Sequence, residues 1–154
     1  MISAKIRNKD KLFAKLSRLA PEAAKEVGLA AQELGNEMVG IARNYAPKDS
    51  GDLSESIVMT PGGQVTPSYS QPGGAQVVPE HAALITAGNT KVRYPHLVEY
   101  GARAHIAGGK FKGAQIPAIP PQPYFWPAFR MIRRRFRARM SRAVNKAAKA
   151  VAGS

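Results

Sequence analysis

Glu99 is the last acidic residue of this chain. Residues 1–100 hold 11 Lys and Arg against all 10 Asp and Glu, so that stretch is almost neutral. Residues 101–154 hold 12 Lys and Arg and no acid, which supplies nearly all of the net charge of +13. Within the basic stretch, Phe129, Ile132, Phe136, Met140, Ala143 or Val144, and Ala147 recur at helical spacing, which predicts a helix over about Pro127–Val151. Seven arginines and two lysines cover the rest of it: Arg130, Arg133, Arg134, Arg135, Arg137, Arg139, Arg142, Lys146 and Lys149. With no acid available for i,i+4 pairing, arginine repulsion costs this helix stability unless a partner relieves it.

A second long helix is expected over Pro21–Tyr45. Pro21 suits a first turn, where its missing N–H would be unpaired anyway, and Glu22 and Glu26 favour the positive end of the helix dipole. Val27, Ala30 or Ala31, Leu34, Met38, Ile41 and Tyr45 form its apolar stripe, with Glu33, Glu37 and Arg43 on the other side. Gly35 and Gly40 weaken it, by roughly 1 kcal/mol each relative to alanine, but small residues also let another element approach closely. Pro47 stops it. A shorter helix over residues 11–20, capped by Asp10, and a strand or arm over 1–8 precede it.

The middle of the chain reads as strands and loops. Asp49-Ser50-Gly51-Asp52 is a turn, leading through a helical turn into a strand over Ile57–Thr60. His81–Ala87 and Thr90–Tyr94 read as strands around a turn at Gly88-Asn89, and His96–Tyr100 as a strand end or a short helical turn running into Gly101. Residues 61–80 are rich in Gly and Pro and read as a long loop or hairpin tip, and 102–119 as a second loop; an arm that orders on a neighbour is the preferred use of such segments. At 154 residues the chain is one domain. The expected class is α+β, with a long N-terminal helix and a basic C-terminal helix packed on a small, mostly antiparallel sheet.

Chemistry is hard to build from these residues. The chain has no cysteine, which excludes disulfides and thiolate metal sites. Its three histidines, His81, His96 and His105, have no metal-ligand spacing, and the His96/Glu99 pair at i,i+3 lacks an evident third ligand. Walker, dinucleotide and nucleophile-elbow motifs are absent. No run has the length of a signal peptide or a membrane span. The expectation is a non-enzymatic protein of a reducing cytoplasm, with no cofactor and no membrane partner.

Three segments fit together. They are Ala46-Pro47-Lys48-Asp49-Ser50-Gly51-Asp52-Leu53, then Pro95-His96-Leu97-Val98-Glu99-Tyr100-Gly101, then Pro120-Pro121-Gln122-Pro123-Tyr124-Phe125-Trp126-Pro127-Ala128. Their order resembles the small neck, or head–tail joining (tail-completion), proteins of tailed bacteriophages. In that family a long helix ends in Ala-Pro followed by Thr/Ser-Gly-x-Leu, a strand carries Val-Glu-Phe/Tyr-Gly, and a Pro-x-Pro-Phe segment opens the last helix. The resemblance covers roughly residues 10–60 and 92–150, leaving 61–91 and 102–119 outside it.

The resemblance implies a virion structural protein that forms a ring at the head–tail junction and joins the head connector to the tail tube. It would assemble in the host cytoplasm beside head-closure and tail-tube or terminator proteins. Glu99, Tyr100, Tyr124, Phe125 and Trp126 are the candidates for contacts with a neighbouring subunit or partner. Arg130, Arg133, Arg134, Arg137, Arg139, Arg142 and Lys146 are the candidates for contact with genomic DNA in the channel or with an acidic partner, because arginine pairs bidentately with phosphate and carboxylate alike. The alternative is a stand-alone basic nucleic-acid-binding protein acting through the arginine-rich C-terminal helix.

Overall fold

The structure, a computed structural model, describes residues 21–152; the expected elements over 1–8 and 11–20 lie outside the described residues. Helix α1 spans Pro21–Tyr45, α2 Asp52–Glu55, strand β1 Val58–Pro61, β2 Ala83–Thr86, helix α3 Pro95–Tyr100, strand β3 His105–Ile106, β4 Gln115–Ile116 and helix α4 Phe125–Ala152. The α+β class expected from the sequence is what the fold shows, with two long helices packed together and two small antiparallel sheets.

Helix α1 is the central layer. It packs along α4 on one side and against the β1–β2 sheet on the other. That position explains a buried arc wider than a single stripe. Val27, Leu34 and Met38 are buried as their spacing predicts, and so are Ala23, Ala24, Val39 and Ala42. Tyr45, expected on the apolar stripe, is instead half in solvent, because the helix ends there. The main core joins Leu34, Met38 and Ala42 of α1 to Leu53, Ile57, Tyr124, Ala128 and Ile132. Toward the far end of the helix pair the seam narrows to small residues, with Val27 and Ala30 against Ala143, and Ala23 against Ala147.

The interior glycines of α1 serve different purposes. A Cβ on Gly35 would lie 2.7 Å from Met59 Cγ, and one on Gly28 would lie 3.2 Å from the His81 backbone. Both mark where the sheet layer comes close, as the small residues of this helix suggest. Gly40 faces open space.

Strands β1 and β2 pair antiparallel, with Val58 opposite Thr86 and Pro61 opposite Ala83. The expected strand over Thr90–Tyr94 is absent. The Asn89 side chain accepts the Lys91 and Val92 N–H groups, both at 2.9 Å, and this local turn removes donors that a ladder would need.

Residues 61–80 take the hairpin form expected as one alternative, folded onto the body rather than extended as an arm. Gly63 N–H donates to the Val78 carbonyl and Val78 N–H to the Gln64 carbonyl, each at 2.8 Å. Gln71 exchanges two backbone bonds with Ala87, so the segment folds back onto the end of β2. Residues 102–119 form a second hairpin. Strands β3 and β4 pair above an Ala102–Ile119 bridge, and a 3-10 turn at Gly109–Phe111 makes the tip.

Candidate functional site

Residues 46–53, 95–101 and 120–128 meet at one end of the helix pair. Ala46 and Leu53 are buried in the core cluster that also holds Tyr124 and Ala128, with Val98 packed against it. The Ser50 hydroxyl donates to the Asp52 carboxylate at 2.8 Å and closes the turn after α1. Gly51 takes φ +86°, in the left-handed region that favours glycine. From the last turns of α1, the Arg43 guanidinium donates twice to the Ile57 carbonyl, at 3.1 and 2.8 Å. Gln122 N–H donates to the Val98 carbonyl at 2.8 Å, tying the third segment to the second. A Cβ on Gly101 would lie 2.6 Å from the Ile119 carbonyl oxygen, so that crossing requires glycine.

Pro95–Tyr100 is a helix, so of the two forms expected for this stretch, strand end or helical turn, it takes the helical one. Pro95 stands in its first turn, and Gly101, at φ +71°, breaks it. The helix turns Glu99 inward to 6% exposure, directly beneath the start of α4. There its Oε2 accepts the backbone N–H groups of Tyr124 and Phe125, both at 2.8 Å, and its Oε1 accepts that of Trp126 at 3.2 Å. A helix start leaves four N–H groups without intrahelical partners. Glu99 takes three of them, and the next residue, Pro127, has no N–H to satisfy. The negative carboxylate also lies at the positive end of the helix dipole.

This corrects two interface expectations. Glu99 and Tyr124 are buried within the chain, so neither presents a surface to a neighbour. Burial pushes the Tyr124 hydroxyl well above the ordinary tyrosine pKa, and the nearby Glu99 charge adds to the shift. Tyr100 is exposed, and its hydroxyl accepts the Trp126 indole N–H. Phe125 and Trp126 are half-buried in an edge-to-face chain with Tyr124 and Phe129, with centroids 5.7–6.4 Å apart.

The charge of α4 finds part of its answer inside the chain. Arg135 pairs with Glu37, Arg139 with Glu33, and Lys146 with Glu26 at 3.0 Å. The steps match: four residues from Glu37 back to Glu33 and four from Arg135 on to Arg139, then seven on each helix to Glu26 and Lys146. This is an antiparallel acid–base ladder beside the apolar seam. Glu33 and Glu37 lie off the apolar stripe in the sequence, and only the helix–helix register brings them against the basic helix. Arg142 lines the same trough, about 460 Å³, together with Glu26 and Glu33. Arg130, Arg133, Arg134 and Arg137 are exposed on another face and have no acidic partner among the described residues.

The histidines do not gather. His96 Nδ1 lies 2.9 Å from the Gln71 side-chain amide and His105 Nδ1 lies 3.0 Å from the Arg103 carbonyl oxygen, while Glu99 turns away to α4. Among the described residues no three His, Asp or Glu side chains form a group that could hold a metal, and no helix is long and apolar enough to cross a membrane. A cleft of about 160 Å³ opens where the three segments meet, lined by Pro47, Leu53, Tyr94, Val98, Ile119 and Pro120 among others. Compared with known proteins, the chain matches no family model, no curated protein and no solved structure.

Proposed function

We propose that this chain is a structural protein of a tailed-phage virion, one subunit of a ring at the head–tail junction that joins the head connector to the tail tube. The observation that carries the reading is the junction itself. The three segments resembling the joining-protein family, far apart in sequence, meet in one unit: Ala46 and Leu53 of the first share a core cluster with Tyr124 and Ala128 of the third, and Glu99 of the second caps the helix that the third opens. The role is architectural, and no residue is assigned to catalysis. Tyr100, Phe125, Trp126 and the two hairpins offer surface to neighbouring subunits and to the head-closure and tail-tube or terminator proteins. The free arginine face of α4, formed by Arg130, Arg133, Arg134 and Arg137, meets DNA in the channel or an acidic partner ring.

The test is charge reversal of Arg133, Arg134 and Arg137 together. All three are exposed and outside the ladder with α1, so the subunit should fold normally. Heads and tails should then form but fail to join. Normal yields of infectious, tailed particles would refute the reading.

The same arginine face supports a second reading, a stand-alone nucleic-acid-binding protein. It requires the isolated monomer to bind DNA at physiological salt, with log affinity falling against log salt by about 0.9 per phosphate neutralised. The triple reversal would then abolish binding without touching any assembly.

A further inference from the structure

The β3–β4 hairpin presents an aromatic knob to solvent. Phe111 stands at its tip, 70% exposed, between Lys110 and Lys112. The strands beneath it are exposed on both faces apart from a half-buried Ile116, so the hairpin stands off from the body. Aromatic side chains are enriched at the cores of protein interfaces relative to the rest of the surface.

The cleft at the motif junction has the complementary form. At about 160 Å³ it is smaller than the roughly 300–1,000 Å³ of small-molecule sites and suits a single large side chain. Its walls combine apolar side chains, Leu53, Val98, Ile119 and Pro120, with the polar Ser50, Gln122 and Asp49. Charge matches as well. Asp49 lines the cleft, and Asp52 and Glu55 follow it in the same exposed segment against the single Lys48, whereas residues 102–119 carry Arg103, Lys110 and Lys112 and no acid. The other exposed hairpin, with Val65 and Val77 outward, has no charge between residues 61 and 79 and so lacks this match.

A subunit cannot fill its own cleft. Ile119 both lines the cleft and pairs with Ala102 at the base of the hairpin. The tip therefore stands on the order of 20 Å away, at about 3.3 Å per strand residue, and could return only by unzipping β3 from β4. We propose that Phe111 of one copy, flanked by Lys110 and Lys112, seats in the cleft of a second copy between the Pro47–Leu53 turn and the Ile119–Gln122 segment. Knob and cleft lie on different surfaces, so the contact is head-to-tail and propagates from copy to copy; a rotation that closes gives a ring. The inference rests on the ring reading above and names the contact that would build it.

The experiment places a photoreactive benzoyl-phenylalanine at position 111 of the full chain and irradiates a mixture of isotopically light and heavy copies under conditions where light scattering detects oligomers. Crosslinks between light and heavy chains onto Leu53, Tyr94 or Ile119 are expected. In parallel, the Lys110→Glu and Lys112→Glu pair should weaken self-association about tenfold or more, and adding Asp49→Lys and Asp52→Lys should restore it. Oligomers whose crosslinks fall elsewhere, with no charge-swap rescue, would overturn this contact and leave the ring reading standing. A chain that stays monomeric at every concentration, alone and with virion partners, would overturn both.

Discussion

The Glu99 carboxylate lies 2.8 Å from the backbone nitrogen of Phe125, buried to 6% exposure beneath the first turn of α4. A helix of 28 residues thus begins on an acid supplied by α3, a short helix with a proline at its start and a glycine at its end. Charge-assisted bonds to backbone donors are the stronger kind, and removing the acceptor strands three donors at a buried site. Glu99→Ala should therefore cost about 2–4 kcal/mol, and Glu99→Gln, which keeps one acceptor oxygen, roughly half of that. Urea unfolding of the three proteins measures it; a loss below about 0.5 kcal/mol for the alanine variant would contradict the capping role.

Tyr124 makes the alkaline limb of stability informative. Its hydroxyl is held well above the ordinary tyrosine value, first by burial and then by Glu99. The unfolded chain releases this proton near pH 10 while the folded chain retains it, so the folded state binds more protons above that pH. The stabilisation is complete below pH 10 and is lost as pH rises beyond it, by up to about 1.4 kcal/mol per pH unit from this one group. Tyr124→Phe should flatten the fall in stability above pH 10 relative to the parent. Parallel slopes in the two proteins would contradict the assignment.

The glycines of α1 separate propensity from packing. Gly40→Ala meets nothing within 4 Å and should stabilise the protein by about 1 kcal/mol. Gly35→Ala brings a Cβ to 2.7 Å from Met59 Cγ, so displacement of Met59 should cancel or reverse that gain. Thermal midpoints of the two variants test the difference; equal gains would mean that the sheet does not press on α1 at Gly35.

The ladder between α1 and α4 should matter more for register than for stability. Its pairs are substantially exposed, with 47% and 59% of the side-chain surface accessible for Arg139 and Glu33. A double-mutant cycle on Glu33→Ala and Arg139→Ala should give a coupling below about 1 kcal/mol that shrinks as salt rises. A large, salt-insensitive coupling would contradict this.

How much of this was legible in the sequence depends on the range of each interaction. Helix α1 could be read end to end, because the 3.6-residue period of Val27, Leu34 and Met38 and the proline at each side are local facts. The apolar stripe of α4 was equally plain, at Ile132, Ala143 and Ala147. Leu97-Val98 was harder, since so short an apolar run fits either strand or helix. The role of Glu99 was hidden, because its partners lie 25 to 27 residues away and nothing local distinguishes a capping carboxylate from an exposed one. The same holds for Glu26, Glu33 and Glu37, which relieve the basic helix only through the register of two helices, with each pair about 100 to 120 residues apart in sequence. In 61–80, glycine and proline marked turns correctly but concealed backbone pairing and the burial of Thr66, Ser70 and Val78.

The central claim is that the chain is a ring-forming joining protein, and its mass in solution tests that most directly. Light scattering across a concentration and salt series should give a discrete ring-sized species, or a monomer that assembles at high concentration or when virion partners are added. A strict monomer under all of these conditions that binds DNA with a steep salt dependence would contradict the claim and favour the nucleic-acid-binding reading.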